Sequence, residues 1–275
     1  MGKLPTGKVG CIFLIAFFLV SGTSSHQEVE DEREFNYDEH SNIGPHHWGE
    51  LRPEWSMCGK GAMQSPIDMW NERVKVMSNL GNLKRVYKPS NATLVNRGHD
   101  MSLKWGGGGA GYVEINGTRY ELKQVHWHSP TEHSINGRRY DLEFHMVHES
   151  NDQRTAVIAI IYQIGGSDDH FLSEMKEHME AIADTGEEEK VVGMVDPNHI
   201  RLGNGNYYRY IGSLTTPPCS QNVVWTILSK VRTVSREQVN LLRNVVHDDS
   251  EANARPLQPI NQRPVKLYQP QDHED

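Results

Sequence analysis

The chain has little cysteine, three in 275 residues, which is too few for a disulfide framework. It has no cluster of lysine or arginine, and its net charge is -8. Nucleic acid is therefore excluded as a partner, because phosphate binding needs a basic face. No internal repeat divides it. No apolar run is long enough for a stop-transfer helix, so stable membrane insertion is not expected. Length alone does not require a second domain, since large sheet proteins reach this size as one.

The longest apolar run, Cys11 to Val20, lies at the N-terminus, after Lys3 and Lys8 and before the small residues Ser21, Gly22, Thr23, Ser24 and Ser25. That order of basic, apolar and small segments reads as a secretory signal over residues 1–25 rather than a permanent anchor. Its removal takes Cys11 with it. Cys58 and Cys219 then enter an oxidising compartment as the remaining cysteines and are expected to form one disulfide. Asn91-Ala92-Thr93 and Asn116-Gly117-Thr118 are N-glycosylation sequons, consistent with the same route. Residues 26–43 form an acidic lead-in: from Glu28 to Glu39 the chain is poor in aliphatics, which implies a solvated segment with no core to join. The globular part is expected over 44–268, followed by a polar tail at 269–275.

Within that part, short alternating or apolar runs bounded by Gly, Asn and Pro predict strands. They cover Thr93 to Asn96, Met101 to Trp105, Gly111 to Ile115, Thr118 to Trp127, Tyr140 to His148, Ala156 to Ile164, Tyr207 to Ser213 and Asn222 to Leu228. Helical spacing is confined to Asp169 to Ala183 and Ser235 to Val246, where Ser235 and Gln238 make a capping box. The glycines from Gly106 to Gly109 read as a loop without catalytic meaning. The fold class is mainly β with a few short helices, in a single domain.

The segment QVHWHSPTEHSINGRRYDLEFHMVH, Gln124 to His148, carries the chemistry. His126 and His128 are two apart on a strand, so both rings project to one face. His145 lies on the next run, and Asn136-Gly137 supplies a turn that folds the second run back beside the first. Three imidazoles with a fourth position open are a catalytic rather than a structural zinc arrangement. Gln124 shares the face of His126 and His128, and Glu143 that of His145. Each stands two residues before a ligand, where it can accept the ring's other N–H.

In this order and spacing, HWHSPTEH, YDLEFHMVH, QSPID, the segment ending in His99, GSLTTPPC and ARPLQP resemble the alpha-class carbonic anhydrases, over about residues 44–268, and most closely the secreted plant members. The resemblance implies a large, twisted, mostly antiparallel sheet with a central conical cleft. In it His126, His128 and His145 hold Zn2+, and a main-chain carbonyl near Asn253 supports His128. It implies reversible hydration of carbon dioxide to bicarbonate and a proton by a zinc-held hydroxide. Thr215, bonded to Glu132, would orient that hydroxide, and Val147, Val157, Leu214, Thr216 and Trp225 would wall the substrate site. His99 would shuttle the proton. Two departures concern the shuttle: Glu50 stands where a cleft tyrosine is expected, and Arg97 where an asparagine orders water. The destination is extracellular or, by the same route, the plastid stroma; nothing sets an oligomeric state. Two alternatives stand beside the hydratase: a storage or binding protein on the same scaffold, and a zinc-dependent esterase as a side activity.

Overall fold

In the computed structural model, Gly2 and residues 34–185, 189–246 and 252–270 are described. The rest of the leader, the start of the acidic lead-in and residues 271–275 of the tail lie outside the described residues. Period-two runs become the long strands: β4 (Ser90–Asn96), β5 (Met101–Trp105), β6 (Gly111–Ile115), β7 (Thr118–His128), β9 (Leu142–Glu149), β10 (Thr155–Ile164), β12 (Tyr207–Ser213) and β13 (Gln221–Leu228). Shorter pieces complete them: β1 (Asp68–Met69), β2 (Lys75–Val76), β3 (Lys84–Tyr87), β8 (Ser134–Ile135), β11 (Glu189–Val195), β14 (Arg232–Val234) and β15 (Lys266–Tyr268).

Thirteen of these strands build one sheet in the main order β11-β4-β5-β7-β9-β10-β13-β12-β15-β2. Most neighbours are antiparallel, but β10 runs parallel to both β13 and β14, and β15 parallel to β2, so the sheet is mixed. α1 (Trp48–Leu51) and α2 (Met57–Lys60) are single turns, while α3 (His170–Thr185) and α4 (Arg236–Asn244) pack on the sheet. Ser235 caps α4 with the capping box its spacing announces: its hydroxyl accepts the Gln238 N–H, and Gln238 returns to the Ser235 amide. No helix among the described residues is long and apolar enough to cross a membrane.

β10 shows how the sheet divides the interior. Ala156, Ile158, Ile160 and Tyr162 enter the larger core with the apolar faces of α3 and α4, and Val157, Ala159 and Ile161 enter a second core on the other face. A strand buried on both sides reads as a continuous apolar run, as this one does. β7 and β9 instead place apolar residues on the first face (Val125, Trp127; Phe144, Met146) and mainly polar ones, with Val147, on the second.

Two expectations are corrected. The acidic lead-in does join a core: Phe35 and Tyr37 are buried with Trp48, Trp55, Cys58 and Cys219 in a third cluster, their rings meeting Trp48 edge-on. Burying two aromatic rings outweighs the solvation of the acidic residues around them. Asn136 and Gly137 do form a positive-φ turn, but it closes only the local pair Ile135 and Arg138, where β8 lies beside β1. β7 and β9 are joined by the longer segment 129–141, and pair antiparallel nonetheless.

Candidate metal centre

The register of β7 against β9 sets His126 directly opposite His145. A bulge in β7 between Leu122 and Gln124 adds a step. Strict alternation keeps Gln124 on the face of His126 and His128 but would carry Leu122 there too. With the bulge, Leu122 returns to the core beside Val125 and Trp127. The three ring centroids lie 4.7 to 5.1 Å apart, and one nitrogen from each ring lies within 4.8 Å of the others. All three rings are buried.

The remaining nitrogen of each ring is engaged elsewhere. His126 Nδ1 meets Gln124 Oε1 at 2.8 Å, His128 Nδ1 donates to the Asn253 carbonyl at 2.7 Å, and His145 Nε2 meets Glu143 Oε1 at 2.8 Å. Those bonds leave His126 Nε2, His128 Nε2 and His145 Nδ1 to converge, the first and last 3.2 Å apart. His128 Nε2 is fully buried with no hydrogen-bond partner. A buried ring nitrogen left so is costly, and a divalent ion with nitrogen affinity would satisfy it, so the donor set fits zinc. A second cluster, His133, Glu143 and His145, is less suited, because its atoms are already spent on bonds to one another.

His133, which the sequence reading missed, organises that second cluster. Its Nδ1 and backbone N–H both bond Glu143, at 2.7 and 2.8 Å, and its Nε2 meets Tyr210 Oη at 2.8 Å, which in turn bonds Ser65. The only signal for it was its place beside Glu132. Burial pushes the Glu143 carboxyl up, but His133 and His145 outweigh burial and hold it well below the usual range. Burial and then the Arg97 guanidinium push His126 down, which keeps its imidazole neutral as metal ligation requires. For His128 burial acts in the same direction, yet the Glu132 carboxylate prevails and raises it.

Asn253 does more than lend a carbonyl. Its amide donates to the His99 and Trp127 carbonyls, and its Oδ1 accepts the Ser129 N–H, which fixes the oxygen that faces His128. Arg255, also missed, is 1% exposed and bonds Gln64, Ser65 and Cys58 through its guanidinium; burial pulls it down to about 10.

Glu132 and Thr215 are both buried in this region, but the expected bond between them is not formed. Glu132 Oε1 accepts the Arg255 N–H at 3.0 Å, while Oε2 lies 3.6 Å from His128 Nε2 without a hydrogen-bond partner. Thr216 Oγ1 is equally without one. Val157, Leu214 and Trp225 share the second core, with half-buried Val147 packed against it; Trp225 lies 5.0 Å from the His145 ring, and Val147 pairs with Val157 across β9 and β10.

His99 is 1% exposed, with its ring 5.1 Å from Phe35 and 6.1 Å from Tyr37. The tyrosine beside it is thus Tyr37 from the lead-in, whereas Glu50 is exposed and pairs with His47 at 3.2 Å. Arg97 is buried in an ion pair with Asp100, Nε to Oδ1 2.7 Å. Cys58 and Cys219 are bonded, with Cα atoms 5.0 Å apart. Asn91 and Asn116 are both exposed, Asn116 at the turn between β6 and β7.

Comparison with known proteins agrees with this geometry. The family model for eukaryotic-type carbonic anhydrases matches residues 43–269. Alpha carbonic anhydrase 7 of Arabidopsis thaliana is 58% identical over 269 residues, 95% of this chain and 97% of that protein. Among solved structures, a dioscorin complexed with ascorbate superposes with a TM-score of 0.84 at 44% identity, over 87% of this chain and 99% of that one. The alpha-carbonic anhydrase from Thermovibrio ammonificans, in complex with the inhibitor sulfanilamide, gives 0.75 at 36% identity, over 84% and 98%. The chain belongs to the eukaryotic-type, or alpha, carbonic anhydrases, and it is an enzyme of that family.

Proposed function

We propose that the chain catalyses the reversible hydration of carbon dioxide to bicarbonate and a proton, with Zn2+ held by His126, His128 and His145. One observation carries this reading: three buried imidazoles converge through one nitrogen each while Gln124, Asn253 and Glu143 occupy the other. Zinc there supplies the Lewis acidity that ionises water near neutral pH, the property for which carbonic anhydrases are the standard example. The protein's residues do the rest. Gln124, the Asn253 carbonyl and Glu143 fix the ring orientations. Glu132 Oε2, buried and unbonded, is the acceptor a Thr215 hydroxyl needs in order to turn its own lone pair toward the reacting water. Val147, Val157, Leu214 and Trp225 form the dry wall that a small apolar gas requires, and buried Thr216, next to Thr215, adds a polar contact to the substrate. His99 accepts the exported proton at a ring nitrogen.

We place the chain in the secretory pathway, with residues 1–25 as a signal and Asn91 and Asn116 as glycan acceptors. Support comes from the bonded Cys58 and Cys219 and from the exposure of both asparagines. A storage or binding protein is the second reading, favoured by the likeness to a dioscorin. Zinc content and carbon dioxide hydration by the purified mature chain, before and after chelation, decide between them. The expected result is stoichiometric zinc and activity that chelation removes; protein without zinc would sink the first reading. His145→Ala is expected to abolish zinc retention, whereas His99→Ala keeps the metal and slows turnover in weak buffer.

A further inference from the structure

Outside the triad, the chain carries a second convergence of metal-binding side chains, on its surface. His170 and Glu174 are one turn apart on α3, so they stack on the same face of the helix. His199 reaches the same carboxylate from the separate 3-10 turn Pro197–Ile200. His170 Nε2 lies 3.0 Å from Glu174 Oε1, and His199 Nδ1 lies 2.9 Å from that same oxygen. The two rings are 5.7 Å apart, and one ligand atom from each of the three residues falls within 4.8 Å of the others.

The ordinary reading is a pair of surface ion contacts, worth little. Two features exceed it. An ion contact needs one imidazole, whereas here two nitrogens from different elements meet one carboxylate, His199 Nδ1 lying also 3.0 Å from Oε2. The turn that carries His199 is also pinned: the Asp196 side chain caps it through the Asn198 N–H, Asn198 donates to the Tyr87 carbonyl, and Arg232 donates to the Ile200 and Arg201 carbonyls. His199 is therefore held in place against α3. His178, one turn beyond Glu174, and Asp196 line the same shallow depression.

We infer that His170, Glu174 and His199 form a surface site for a divalent first-row transition-metal ion. Two imidazole nitrogens and one carboxylate oxygen suit zinc, copper or nickel; calcium and magnesium prefer all-oxygen shells. The solvent-facing side leaves room for water to complete the shell, and a bound ion would tie α3 to the 3-10 turn. This inference is independent of the catalytic reading, since the two sites share no residue.

The test is a Ni2+ titration of the zinc-loaded full chain by calorimetry, with triad zinc quantified in parallel. The wild type is expected to take up one further Ni2+ and to melt at a higher temperature with it. His199→Ala and Glu174→Gln are expected to lose that uptake and the Tm shift, with zinc content and carbon dioxide hydration unchanged. His47→Ala, at another exposed histidine, keeps both. No further Ni2+ on the wild type, or undiminished uptake by His199→Ala and Glu174→Gln, would overturn the inference.

Discussion

Glu143 accepts from three donors: the His133 ring, the His133 backbone and the His145 ring. Only a carboxylate offers acceptors on both oxygens, so an amide in its place must turn one donor toward another. Glu143→Gln is expected to keep the fold and weaken zinc affinity by roughly 10–100-fold, the usual effect of losing a ligand's hydrogen-bond partner. Competition with a chromophoric chelator measures it; an unchanged zinc affinity would mean that Glu143 serves packing alone. Glu143 is legible from sequence because a carboxylate on an inward strand face needs a partner, and His145 two residues on is the available one. His133 and Arg255 left no such trace. Their partners, Tyr210 and Gln64, are distant in sequence, and only the closed fold brings them together.

Among the elements, what was legible followed length and period. β5, β6 and β12 run over the residues that alternation predicts, and α4 starts at its capping box. Strands of two or three residues, such as β1, β2, β14 and β15, are too short to show any period, and β11 exposes Val191 and Met194 so that its pattern does not point inward. The bulge in β7 was equally silent, although it sets the face of Leu122. β9 also makes a prediction about pH. Its His148 is fully buried, with Nδ1 donating to the Met146 carbonyl and Nε2 accepting from Tyr87 Oη at 2.8 Å. Burial lowers its pKa from 6.5 to about 4. The folded value lies below the unfolded one, so the unfolded chain binds the proton first, and stability present above about pH 6.5 is lost as pH falls toward 4. At 1.36 kcal/mol per pH unit this amounts to about 3 kcal/mol. Urea unfolding at pH 7 and pH 4 should show that much less pH dependence in His148→Gln than in the wild type; parallel losses would remove His148 as the cause.

For the molecule as a whole, the tie between Cys58 and Cys219 closes a span of 161 residues that includes the histidine triad and most of the sheet. It also sits in the cluster where the lead-in packs onto the globular part. Cys58 sits on α2 among Phe35, Tyr37, Trp48 and Trp55, and Cys219 ends the loop that carries Thr215 and Thr216. The burial of Phe35 and Tyr37 was illegible because two aromatics among acidic residues look solvated until Trp48 and the bonded cysteines are folded beside them. The chain-entropy estimate for a loop of this length is about 5 kcal/mol, taken from the unfolded state. The double variant Cys58→Ser, Cys219→Ser is therefore expected to lose about that much unfolding free energy, read as a lower urea midpoint. Zinc retention at neutral pH should persist without denaturant, because no triad residue or hydrogen-bond partner of one lies in the aromatic cluster. A variant that kept its urea midpoint would show that the aromatic cluster alone fixes the N-terminal region. One that lost zinc while remaining folded would show that the bridge also sets the geometry of the metal centre.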